Sequence, residues 1–170
     1  MWMGWRRLAA VLISAGVAAG CYESDAPLDA APTAGIDAGL LGPWRCLPVD
    51  GEADEAAATL TVTPQPAGGS FEATWDEPGS APDRYEGFAS RVDDVTYLNT
   101  RERHDGGALS AWFFVRPTLL RPNALLVQVV DEAALAGAPK TAAGLREALR
   151  RRRDDPALLS GGALCARVRR

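Results

Sequence analysis

From residue 40 to 130 the apolar side chains recur at every second position, in short runs separated by turn residues. A period of two belongs to a pleated strand with one buried and one wet face, and not to a helix. Leu60 and Val62 alternate with Thr59, Thr61 and Thr63. Phe71, Ala73 and Trp75 alternate with Ser70, Glu72, Thr74 and Asp76. Tyr85 to Val92 and Val95 to Thr100 read as two further strands, with Asp93-Asp94 as the tight turn between them. Leu109 to Val115 is apolar on both faces, with Trp112, Phe113 and Phe114 in succession. This predicts a strand covered on both sides, or one facing a cavity. Pro117 to Asn123 is read as a connection, and Ala124 to Val130 as the next strand, with Leu125, Val127 and Val129 on one face.

Helix signals come late. Asp131 is placed to cap a short turn ending near Gly137. Thr141 is an N-cap candidate for a helix from Ala142 to about Arg153, with Leu145 and Leu149 on its apolar face. Asp155-Pro156 starts another helical turn, Gly161-Gly162 breaks it, and Ala163 to Val168 reads as a last strand. The fold class is therefore mainly β: an antiparallel meander or small barrel of about eight strands with a C-terminal helical segment. Closure would remove exposed strand edges.

The first twenty residues are of another kind. Arg6 and Arg7 precede twelve apolar or small residues from Leu8 to Ala19, well short of the roughly 20 that a spanning helix needs. A charged start, a short apolar run and small residues before a cleavage point are the marks of a signal peptide. Ala18-Ala19-Gly20-Cys21 resembles the lipobox of bacterial lipoproteins. That resemblance implies export, cleavage before Cys21, and acyl chains on its sulfur; two or more chains give stable anchoring. Tyr22 stands where an Asp often retains such proteins in the inner membrane, so the resemblance implies the cell envelope and, where one exists, the outer membrane. Residues 21–39, small, acidic and rich in Pro and Gly, are expected to be a flexible tether, and 40–170 a single β-rich domain. If Cys21 carries lipid, Cys46 and Cys165 remain, and in an exported protein such a pair is expected to form a disulfide joining the first strand to the last.

Charge narrows the function classes. Without residues 1–20 the chain keeps 16 basic and 22 acidic residues, a net charge of −6. Residues 22–100 hold 3 basic and 15 acidic residues, and residues 101–170 hold 13 and 7. This asymmetry argues against nucleic-acid binding, which needs an overall basic face, and invites the two halves to neutralise each other. Arg150 to Arg153 read as a solvated face complementing the helix dipole. The only histidine, His104, has no ligand neighbours at metal-site spacing, and no cofactor motif or catalytic residue stands out. The carboxylate pairs Asp76-Glu77, Asp93-Asp94 and Asp154-Asp155 all adjoin turn signals.

Gly42-Pro43-Trp44 is a G-x-W at the start of the first strand, and it resembles the opening motif of lipocalin-like barrels. That resemblance implies that Trp44 closes one end of the barrel and that an Arg from a late strand, with Arg167 the candidate, covers it. The expected function is non-enzymatic: binding a small apolar ligand or an envelope protein. Trp75, Asn99, Trp112 and Phe113 are the candidate ligand-binding residues; Asn99 is either a hydrogen-bonded core residue or part of a pocket. The alternative is an inhibitor or interaction module acting through loops or the basic helix.

Overall fold

The computed structural model describes residues 22–49, 56–66 and 68–168; the expected signal peptide and Cys21 lie outside the described residues. Among the described residues the chain forms eight strands: β1 Gly42–Pro48, β2 Ala58–Pro64, β3 Ser70–Asp76, β4 Asp83–Val92, β5 Val95–Glu102, β6 Phe113–Arg121, β7 Ala124–Val130 and β8 Leu159–Arg167. Each pairs antiparallel with its neighbour in sequence, and β8 pairs with β1, so the sheet closes into a barrel in simple chain order. The mainly-β reading and the C-terminal helical segment are both found.

Local chemistry sets the turns and corners. Val92 pairs with Val95 across Asp93-Asp94, and Asp93 adopts φ 53°, the left-handed region that a two-residue hairpin requires. Curvature enters where neighbouring backbones approach too closely for a side chain. A Cβ on Gly87 would stand 2.0 Å from the Asn99 carbonyl oxygen, and one on Gly162 2.0 Å from that of Val127. Gly162 also sits at φ 103°, beside the register shift between β7 and β8. Such glycines bend strands at barrel corners. Gly161-Gly162 therefore lies inside β8 as a bend instead of ending a helical turn before it.

Pro117, expected in a connection, lies within β6 opposite Val127. The β5–β6 pairing ends at Leu98 and Val115, so beyond that point β6 has no ladder bond on the β5 side for a missing N–H to break. The β6–β7 turn shrinks to Pro122-Asn123. Conversely, residues 109–112, expected in a strand, precede β6.

Sequence ends meet at the seam. Cys46 lies opposite Cys165 in the β1–β8 register, with Cα atoms 4.0 Å apart, and the two sulfurs are bonded. A cross-strand non-hydrogen-bonded pair is the closest approach an antiparallel ladder offers.

A second apolar layer lies outside the barrel. Helix α1, Ala142–Arg151, is capped by Thr141, whose hydroxyl accepts from the Gly144 N–H at 3.2 Å. Its Leu145 and Leu149, four residues apart on one face, are fully buried against Val92, Tyr97, Phe114 and Val130 of the barrel wall. Short 3-10 turns at Ala133–Leu135 and Pro156–Leu158 complete this cover, with Asp131 and Asp155 accepting from their first N–H groups at 2.8 and 2.9 Å.

The tether expectation is corrected in part. Residues 22–34 run along the outside of the barrel with Tyr22, Ser24 and Leu28 buried. Backbone bonds hold them: the Tyr22 N–H donates to Val130 O at 3.1 Å, Ser24 and Trp112 exchange two bonds of 2.8 Å, and the Thr33 N–H donates to Ala89 O at 3.1 Å. Asp29 pairs with Arg146 of α1 at 2.8 Å. Full burial of one leucine contributes about 1.5–3 kcal/mol against an ordering cost of about 1–2 kcal/mol per residue, so the backbone bonds and the Asp29–Arg146 pair must carry much of the docking. A composition poor in apolar bulk still docks when backbone hydrogen bonds, an ion pair and two buried apolar side chains act together.

Candidate functional site

Period-two alternation turns one face of every strand inward. The inward faces enclose a lumen of about 560 Å³. Its wall mixes aromatic side chains, Phe71, Trp75, Tyr85 and Phe113, with aliphatic ones, among them Leu98, Val115, Val127 and Val129. The Tyr85 and Phe113 rings meet edge to face at 6.0 Å. Ala73 and Ala163 supply the small side chains that leave the space open.

One end of the lumen is closed. Trp44 is fully buried, and its Nε1–H donates to the Leu40 carbonyl at 2.9 Å. Leu40 belongs to the 3-10 turn Ala38–Leu40, which Asp37 caps through the Gly39 N–H at 2.7 Å. Arg167 stands opposite Trp44 in the β1–β8 register, with its guanidinium carbon 4.2 Å from the ring centroid. Its nitrogens donate to the carbonyls of Leu41 at 2.9 Å, Pro122 at 3.3 Å and Gly39. One cation–π contact and three hydrogen bonds thus tie the start of β1, the end of β8 and the β6–β7 turn together.

The other end is the mouth, where β1, β3, β5 and β7 finish. Its lining is acidic: Glu23, Glu77, Asp83 and Glu102 contribute, and none of the described lining residues is Lys, Arg or His. Glu77 accepts from the Trp75 Nε1–H at 2.7 Å, fixing the ring along the wall. Ser110 accepts from the Glu102 N–H at 2.8 Å, and His104 Nδ1 lies 3.1 Å from the Glu102 carboxylate. Thr100 and Tyr85 add two further hydroxyls to the described wall besides that of Ser110. An apolar chamber whose few polar groups gather mainly at its rim suits a small molecule with an apolar body. Among the described residues no group of three or more His, Cys, Asp or Glu is arranged to hold a metal ion.

The four residues singled out from sequence divide into two pairs. Trp75 and Phe113 line the lumen. Asn99 and Trp112 sit on the opposite face of the wall. Asn99 is fully buried: its Oδ1 accepts from the Leu28 N–H at 2.7 Å, and its Nδ2 donates to Ser90 Oγ at 2.8 Å and to Phe88 O at 3.2 Å. It is the clasp that holds the N-terminal segment. Trp112 packs edge to face on Phe88 at 5.5 Å, beneath the Arg101 guanidinium at 4.5 Å. Phase explains both: Leu98 and Thr100 point in, so Asn99 points out; Phe113 points in, so Trp112 does not. The same phase, counted from Trp75 across the register, would have found Phe71, Tyr85, Leu98 and Val127. The acidic rim carries no comparable signal, because its residues come from separate turns.

Outside the lumen, charge is spent on pairing. Arg150 reaches Asp93 at 3.1 Å and Glu147 at 2.8 Å, Arg151 reaches Glu147 at 2.7 Å, Arg152 reaches Asp155 at 3.4 Å, and Arg153 reaches Asp94 at 2.9 Å. Two of these pairs, Arg150–Asp93 and Arg153–Asp94, join the basic back half to the acidic front half; the others lie within the back half. Glu86, four-fifths buried, takes Arg101 at 2.7 Å and Arg103 more closely still. The Arg103 hydrogen bond, helped by Arg101, holds the Glu86 carboxyl below the usual glutamate range despite its burial. Burial, with Glu132 nearby, pushes the Tyr22 phenol up, and burial does the same to Tyr97.

Comparison with known proteins finds no matching family model, no similar curated protein and no similar solved structure.

Proposed function

We propose that the chain is a lipid-anchored lipoprotein of the cell envelope, held in the outer membrane through acyl chains on Cys21, and that its barrel holds a small apolar ligand without transforming it. The observation that carries the reading is the lumen of about 560 Å³, walled by Trp75, Phe113 and aliphatic side chains. Its volume lies within the roughly 300–1,000 Å³ typical of small-molecule sites. A chain folded only to display a surface would gain stability by filling that space, since interiors pack close to crystal density. The acidic rim favours a neutral or cationic head over a carboxylate or phosphate. The alternative, an inhibitor or interaction module acting through loops or the basic helix, draws less support. Each arginine from 150 to 153 already faces a carboxylate.

The test is titration with the neutral probe N-phenyl-1-naphthylamine. Saturable enhancement at one probe per chain is expected. Filling the lumen by Ala73→Trp, or separately by Val127→Trp, should weaken binding at least about tenfold, roughly 1.4 kcal/mol. Unchanged affinity in both variants, with the fold intact by circular dichroism, would place the probe elsewhere and defeat the reading.

A further inference from the structure

We infer that the barrel stands on the membrane with its mouth facing the lipid surface, so that ligand passes between bilayer and lumen without crossing open water. The inference rests on the lipid anchor proposed for Cys21. Its independent support is the course of residues 22–34. A tether of eighteen free residues would let the barrel take any orientation, but the chain is fixed from its first described residue. The Tyr22 N–H bonds to Val130, the last residue of β7, and the Tyr22 ring stacks on Phe114 at 6.0 Å. Glu23 contributes to the lumen lining, and Ser24 pairs with Trp112, one residue before β6 begins. The ends of β7 and the start of β6 are at the mouth. Peptide geometry holds the Cα of residue 21 about 3.8 Å from that of Tyr22. An acyl chain on its sulfur therefore leaves the protein beside the mouth, with almost no slack.

The rim suits that placement. Leu47, Val49 and Leu109 are exposed at the mouth end, at 51%, 51% and 38%, against Leu120 and Val168 at the closed end. Apolar side chains of this kind enter the headgroup boundary. Glu77, Asp83 and Glu102 between them complement the ammonium groups of zwitterionic aminophospholipids. The surface we assign as the partner is accordingly a bilayer rich in zwitterionic, net-neutral headgroups that carry an ammonium.

The experiment uses the full chain, expressed with its leader and purified from the envelope. Cys46 and Cys165 are bonded to each other, so Leu109→Cys and Leu120→Cys each add one thiol for an environment-sensitive dye. Leu120, 52% exposed, lies beside the β6–β7 turn at the closed end. The labelled proteins are reconstituted into phosphatidylcholine–phosphatidylethanolamine vesicles carrying nitroxide headgroups. Quenching at 109 should exceed that at 120 at least about threefold, because the headgroup boundary is only about 5–10 Å deep. A Gly-Ser spacer inserted between Cys21 and Tyr22 should erase the difference. Equal quenching, stronger quenching at 120, or a difference that survives the spacer would overturn the inference while leaving the anchor intact. Failure of the protein to float with the vesicles would instead remove the anchor itself, and the inference with it.

Discussion

Replacing Cys46 and Cys165 together by alanine should destabilise the barrel by about 4.9 kcal/mol. The bond closes a loop with a sequence separation of 119 residues. In the chain-entropy account such a cross-link removes about 16 cal/mol/K from the unfolded ensemble, which is about 4.9 kcal/mol at 25 °C. The folded state changes little by comparison, because the β1–β8 ladder from Trp44–Arg167 to Pro48–Ala163 remains. Single domains are stable by only about 5–15 kcal/mol, so the loss is a large share of the total. Urea unfolding followed by tryptophan fluorescence reads it out. With a slope of about 1–3 kcal/mol/M, the midpoint should fall by at least about 1.6 M. Reduced wild-type protein should behave like the double variant. A loss below about 1 kcal/mol at unchanged slope would refute the argument, since the unfolded chain would then gain nothing from being opened.

Three further outcomes follow from particular contacts. Asn99→Leu strands the buried Leu28 N–H and should cost about 2–3 kcal/mol; hydrogen exchange should show protection lost at Leu28 and retained in β2 and β3, and loss spread evenly over the barrel would contradict the clasp. Glu86 has a folded pKa below its unfolded value, so its contribution is complete above the unfolded value and disappears as pH falls through the folded one; Glu86→Gln should lose less stability than wild type on acidification, and parallel pH curves would count against the Arg101–Glu86–Arg103 cluster. Arg151 and Arg152 make exposed pairs only, so replacing both by Gln should shift stability by no more than about 0.5 kcal/mol in the same urea assay.

What was legible in the sequence follows from what is periodic. Alternation marks the inward face of a strand wherever one face is wet, and it located β2, β3, β4, β5 and β7 and, through Trp75 and Phe113, two sides of the lumen. Trp44 and Arg167 each lie two residues from a bonded cysteine, and opposed cysteines carry opposed neighbours, so the closed end could be anticipated. Three features were hidden. Where both faces are apolar, as from Leu109 to Val115, periodicity loses its phase, and Trp112 could not be told from Phe113. Pro117 reads as a strand breaker unless the adjoining edge is known to be unpaired. The docking of residues 22–34 depends on backbone bonds to Val130, Trp112 and Ala89 and on the Asn99 amide, none of which composition records.

Native mass spectrometry of the full-length protein, purified from its own envelope, tests the central claim most directly. The account predicts a mass carrying acyl groups on Cys21, one disulfide, and a non-covalent small molecule bound one per chain, with that last component absent from the Ala73→Trp variant. A chain that arrives empty from its envelope and stays empty with added apolar lipid, or one that keeps its adduct when the lumen is filled, would contradict it.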